Sequence, residues 1–142
     1  MAVTPATWLV DKSVLARLGH PRIREAVAPR LQAGRIGVSV VTELEVGFSA
    51  RSTRNYQTTR RTLLDYLIPV SITPRAEQRA REVQGMLVRR GQHRGVSIPD
   101  LLIAAVAEVE RLTTLHYDSD FECIARITGQ GMEWVVARGT ID

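Results

Sequence analysis

Apolar residues in this chain fall into short runs separated by longer polar stretches with helical spacing. Ala6-Thr7-Trp8-Leu9-Val10 reads as a short buried strand ending at Asp11. Lys12 to Leu18 then looks helical, broken by Gly19-His20-Pro21. Arg22 to Gln32 predicts a second helix, with Ile23, Val27 and Leu31 four apart and Gly34 as a stop. Arg35 to Val38 is a second strand, and Ser39 stands where it can cap a helix running to Phe48. Ala50 to Arg61 is polar and reads as a loop, followed by a helix over Leu63 to Leu67 and a short strand over Ile68 to Val70. Thr73-Pro74 opens a long helix to Arg90, with Ala76, Ala80, Val83 and Leu87 on one face. Gly91 to Gly95 is a basic loop. Ser97 and Pro99 then begin a nearly wholly apolar helix that should bury Leu102, Ile103, Val106 and Val109. Strands over Thr113 to Tyr117 and Glu133 to Val136 bracket a helix over Phe121 to Ile127. Strands alternating with helices imply an α/β fold, with a short, mostly parallel central sheet and helices on both faces.

Composition narrows the class. At 142 residues, one domain spanning 1–142 is expected, and 44% hydrophobic content supplies its core. The single Cys123 excludes an internal disulfide and points to a reducing compartment. No apolar run reaches the roughly 18–20 residues that span a membrane, and no basic-then-apolar leader opens the chain. A cytoplasmic protein with no membrane association is the expectation. The net charge is +4, and Lys12 is the one lysine among 19 basic residues. An Arg-rich balance suits a polyanionic partner, and a GC-rich genome explains it equally well.

The carboxylates change the picture most. Asp100 opens an apolar helix, where a charged carboxylate is costly unless something pairs with it. The helix dipole offers only about 0.3–1 kcal/mol. Asp11 and Asp118 each follow a strand, Asp120 lies two residues further, and Glu43 falls in the first turn of the helix after the second strand. Sites in open α/β sheets gather at the C-terminal ends of the strands, which is where these acids fall. Acids without Cys or several His form a hard-ligand set suited to Mg²⁺, with Mn²⁺ as the alternative. Each acid alone is explained as a cap or turn residue; the combination is informative. Glu45 reads as a solvated residue on the face opposite Glu43.

Val10-Asp11-Lys12-Ser13, Thr42-Glu43-Leu44, Pro99-Asp100-Leu101-Leu102-Ile103-Ala104-Ala105 and Asp118-Ser119-Asp120-Phe121 together resemble the PIN-domain ribonucleases, above all the VapC toxins of toxin–antitoxin pairs. The resemblance spans essentially the whole chain. It implies a Mg²⁺-dependent endoribonuclease that hydrolyses phosphodiesters in structured RNA, tRNA or rRNA, and so stops translation and growth. Asp11, Glu43, Asp100 and Asp118 match the catalytic acids, and Asp11, Asp100, Asp118 and Asp120 the metal ligands. Asp11 and Asp100 are expected closest to the ion, and Ser13 matches a hydroxyl supporting the first acid. Lys12 and His116 depart from the family pattern, each standing where Thr is usual. His116 is either a packed or solvent-facing strand residue or a contact to RNA or metal.

Lys12, Arg89, Arg90, His93 and Arg94 are candidates for RNA contact; a solvated loop is the plainer reading for the last four. Arg51, Arg54, Arg60 and Arg61 form a second basic group, best read as a charged helix face. The resemblance also implies a homodimer and a VapB-type antitoxin, with Leu44, Phe48, Leu64 and Leu67 able to line its groove or to pack in the core. A catalytically silent PIN-like module that binds RNA or protein is the alternative, and requires a missing acid. A receiver-like phosphoacceptor domain fits less well, because the first strand lacks an acid pair.

Overall fold

The structure is a computed structural model and describes residues 6–141; residues 1–5 and 142 of the expected domain lie outside the described residues. Its strands are β1 (Trp8–Val10), β2 (Ile36–Val38), β3 (Ile68–Pro69), β4 (Thr113–His116) and β5 (Met132–Trp134). They pair in the order β3-β2-β1-β4-β5, and every pairing is parallel. The helices are α1 (Lys12–Leu15), α2 (Pro21–Gln32), α3 (Val40–Phe48), α4 (Thr53–Thr62), α5 (Pro74–Arg89), α6 (Ile98–Glu110) and α7 (Asp120–Thr128).

Successive strand residues face opposite ways. Leu9 accordingly joins a core built with α5, α6 and α7, while Val10 joins a second core with Val14 of α1 and Ile23 and Val27 of α2. The sheet is thus covered on both faces, as a parallel sheet requires. From β1 the chain crosses to β2 on one side, while β4 lies on the other. The strand order therefore reverses at β1, and the C-terminal ends of β1 and β4 are where sheets of this kind place their sites. Gly37 in the middle of β2 permits the close approach of the β3 end. A Cβ there would lie 2.7 Å from the Val70 Cγ2.

Several sequence expectations need correction. The stretch read as a polar loop contains α4, a helix with no buried residue. Nothing apolar marks it. Ser52 caps it by accepting from the Asn55 N–H at 3.0 Å, and Arg60 ties it to Glu43 and Asp65. The helix expected over Leu63 to Leu67 is a single 3₁₀ turn over Leu64–Tyr66. Leu64 and Leu67 belong to the core, whereas Leu44 and Phe48 are 67% and 93% exposed. The helix expected to reach Leu18 ends at Leu15, and β5 begins and ends earlier than expected. Finally, α6 differs from the expected single face: Ile103 and Val106 are buried but Leu102 and Val109 only half-buried, whereas Leu101, Ala104, Ala105 and Ala107 are buried as well, because α5, α7, α3 and the sheet surround the helix.

Candidate active site

Asp11 follows β1 directly and is fully buried. Its Oδ2 accepts the Ser13 N–H at 2.9 Å, which caps α1; its Oδ1 is buried and, among the described residues, has no hydrogen-bond partner. Ser13 is fixed from the other side: its Oγ accepts the Tyr117 N–H at 2.8 Å, and it also hydrogen-bonds the Asp11 carboxylate. The expected supporting hydroxyl is therefore in contact with the first acid.

Asp100 is held at the N-terminal turn of α6, where its N–H donates to Ser97 Oγ at 3.2 Å. Asp118 follows β4, and its Oδ1 accepts the Asp120 N–H at 2.9 Å. Asp120 Oδ2 accepts the Ser97 N–H at 3.2 Å, joining the start of α7 to the start of α6. One carboxylate oxygen from each of Asp100, Asp118 and Asp120 lies within 4.8 Å of the others. Asp11 lies just outside this group and interacts electrostatically with both Asp100 and Asp118. The tightest set thus pairs Asp100 with Asp118 and Asp120 rather than with Asp11.

The two glutamates of α3 part company. Thr42 is buried beneath β1, with its Oγ1 3.4 Å from the Val10 carbonyl oxygen that accepts from it. A residue three positions on shares that face of a helix. It is Glu45, not Glu43, that turns toward Asp11, and it ion-pairs with Lys12 at 3.4 Å with its side chain only 16% exposed. Its Oε1 is buried without a hydrogen-bond partner among the described residues. The expectation that Glu45 is solvated is corrected accordingly. Glu43 is directed to Arg60 of α4. The signal in the sequence was the spacing from Thr42 to Glu45.

The electrostatics follow from crowding. Burial raises the Asp11 carboxyl above the ordinary carboxylate range; hydrogen bonds from Ser13 oppose this and the Asp118 charge adds to it. Burial, then the Asp11 charge and a hydrogen bond with Asp120, push Asp100 up to about 9. Glu45 is raised by burial, against the pull of Lys12 and with the push of Asp11. Orphaned buried oxygens and carboxyls driven toward their protonated forms fit a hard divalent cation, which would satisfy both.

His116 is fully buried between the rings of Phe121 and Trp134, each centroid 4.9 Å away. Its Nδ1 accepts the Asp118 N–H at 3.2 Å, so it shapes the loop that carries Asp118. Burial lowers it to about 4, which keeps the ring neutral. This agrees with the packed-histidine reading. Arg89, Arg90, His93 and Arg94 are all exposed, around a 3₁₀ turn that leads into Ser97 and α6.

Comparison with known proteins gives concordant results. The PIN domain family pattern matches residues 8–127. Ribonuclease VapC2 of Mycobacterium tuberculosis (strain CDC 1551 / Oshkosh) is 47% identical over 137 residues, covering 96% of this chain and 97% of the relative. Ribonuclease VapC51 of Mycobacterium tuberculosis (strain ATCC 25618 / H37Rv) is 44% identical over 135 residues, covering 95% and 97%. Among solved structures, DNA-bound VapBC from Salmonella typhimurium superposes with a TM-score of 0.77 at 21% identity, covering 92% of this chain and 99% of that one. No helix among the described residues is long and apolar enough to cross a membrane.

Proposed function

The chain belongs to the PIN domain family, and on that premise we propose that it is a VapC-type toxin, an endoribonuclease that uses a divalent cation, Mg²⁺ or Mn²⁺, to hydrolyse RNA phosphodiesters. The observation that carries this reading is the convergence of Asp100, Asp118 and Asp120 within 4.8 Å, beside the buried, unsatisfied Oδ1 of Asp11. The silent-module alternative needs a missing acid, and the site retains its acids. Asp100, Asp118 and Asp120, with Asp11, would hold the cation. We assign the fourth family position to Glu45 rather than Glu43, because Glu45 faces Asp11 while Glu43 is engaged by Arg60.

A divalent cation in such a site lowers the pKa of water and offsets charge developing on the phosphate. The chain's own residues supply the rest. Ser13 holds the Asp11 carboxylate in one orientation, and Ser97 couples Asp100 to Asp120. Asp100 retains a proton when no cation is near and must release it when one arrives. Arg89, Arg90, His93 and Arg94 would draw the phosphate backbone toward a site that is otherwise acidic.

Structured RNA, tRNA or rRNA, is the proposed substrate, with arrest of translation and growth as the consequence. The solved structure from Salmonella typhimurium is of a DNA-bound VapBC complex, and a VapB-type antitoxin is the proposed partner here. Val40, Leu44 and Phe48 stand four apart on α3, exposed by 49%, 67% and 93%, and support a protein partner on that stripe, an antitoxin or a second copy in a homodimer. The test is induced expression of the wild type and Asp100→Asn, with growth followed and RNA 5′ ends mapped. Growth arrest with discrete new ends in the wild type alone is expected; equal behaviour of the two would refute the reading.

A further inference from the structure

Lys12 occupies an unusual place in this site. It is the residue after Asp11, the first of α1, and its ammonium lies 3.4 Å from Glu45 Oε2. Among the described residues it is the cation ion-paired to the group formed by Asp11, Glu45, Asp100, Asp118 and Asp120; the arginine pairs lie elsewhere. The pair is asymmetric. The Glu45 side chain is 16% exposed and fixed on α3, whereas Lys12 is 53% exposed on a flexible four-carbon stem. Both residues line a notch of about 130 Å³ whose other walls include Leu15, Ala16, Val46 and Leu63. The stem can lie along this apolar wall while the ammonium changes partners.

Two consequences follow from charge alone. A divalent cation seated among these acids repels an ammonium held at Glu45, and the same ammonium weakens the site for the cation, since coupling of this kind is reciprocal. Once released, the half-exposed Lys12 ammonium, on the residue that follows Asp11, is free to pair with a phosphate of the substrate chain. We propose that Lys12 is an exchangeable counter-ion: it pairs with Glu45 when the site lacks a divalent cation and turns to an RNA phosphate when the site is loaded. This rests on the metal-dependent ribonuclease reading and adds to it a role for the lysine beside the first acid.

The test is calorimetric titration of Mn²⁺ into the wild type, Lys12→Met, Glu45→Gln and the double variant, with no RNA present. Removing this half-exposed ion pair should tighten Mn²⁺ binding by about two- to fivefold in Lys12→Met. In the Glu45→Gln background the same change should give no gain. Equal or weaker Mn²⁺ binding by Lys12→Met, or an equal gain without Glu45, would overturn the proposal. Absence of Mn²⁺ binding by the wild type would overturn the ribonuclease reading itself, and the two failures are distinguishable. A second arm measures anisotropy of a labelled RNA oligonucleotide against salt, with Ca²⁺ in place of Mn²⁺ to slow cleavage. Lys12→Met should lower the slope of log Kd on log salt by about one; an unchanged slope would remove the phosphate contact.

Discussion

At the scale of single residues, two glutamates two positions apart have different partners, Lys12 for Glu45 and Arg60 for Glu43. Glu45→Gln should lower ribonuclease activity about 10- to 100-fold, as loss of a residue ordering a metal site does. Glu43→Gln should leave turnover near that of the wild type, because its partner is Arg60. Initial rates on one RNA substrate check both; the reverse ranking would restore Glu43 to the site. The acids Asp11, Asp100, Asp118 and Asp120 were legible in the sequence because each stands at a strand end or helix start, where main-chain direction alone aims the side chain. The glutamate was not, since two acids in the same first turns of α3 differ only by rotation about the helix, and burial of Thr42 fixes that rotation. His116 left two readings open until the rings of Phe121 and Trp134 were seen to enclose it.

At the scale of elements, packing and polar attachment hold different helices in place. With no buried residue, α4 depends on its Ser52 cap and on the pairs from Arg60 to Glu43 and Asp65. Arg60→Ala should therefore speed amide exchange across 53–62 while leaving α6 protected; uniform exchange rates in the variant and wild type would contradict this. The sheet behaves oppositely. Gly37→Ala forces a Cβ to within 2.7 Å of the Val70 Cγ2 and should cost about 1–3 kcal/mol in denaturant unfolding. The strands and the long helices α5 and α6 were legible because apolar spacing marks them. The helix α4 was not, because its stabilisation is polar and lies in side chains distant along the chain. The narrower burial expected of α6 failed for a related reason: periodicity reveals one apolar face, whereas Ala104, Ala105 and Ala107 on the other faces are small enough to be enclosed by neighbouring helices.

At the scale of the whole molecule, the fold brings four separate chain segments to the point where the strand order reverses, at the expense of crowding their charges. Without a cation, native Asp100 keeps a proton up to about 9 that the unfolded chain loses near 3.8, so its contribution to stability falls as pH rises through that window. Neutral His116 acts in the other sense between its lowered value of about 4 and the unfolded 6.5, where stability falls as pH drops. The two oppose each other between about 4 and 6.5; above that window His116 no longer contributes and the raised carboxyls act in one direction, Asp100 by up to about 1.4 kcal/mol per pH unit. The chain in EDTA should lose unfolding free energy from pH 6.5 toward 9, and Mn²⁺ should reverse the loss; a flat profile would show that the carboxyls are not crowded as described. The most direct test of the central claim is cleavage itself. Purified chain, stripped of metal and free of any antitoxin, is mixed with total cellular RNA, with and without Mg²⁺ or Mn²⁺, beside Asp100→Asn. The account predicts discrete new 5′ ends only for the wild type with metal. Intact RNA in that sample, or equal cutting by Asp100→Asn or in EDTA, would contradict it.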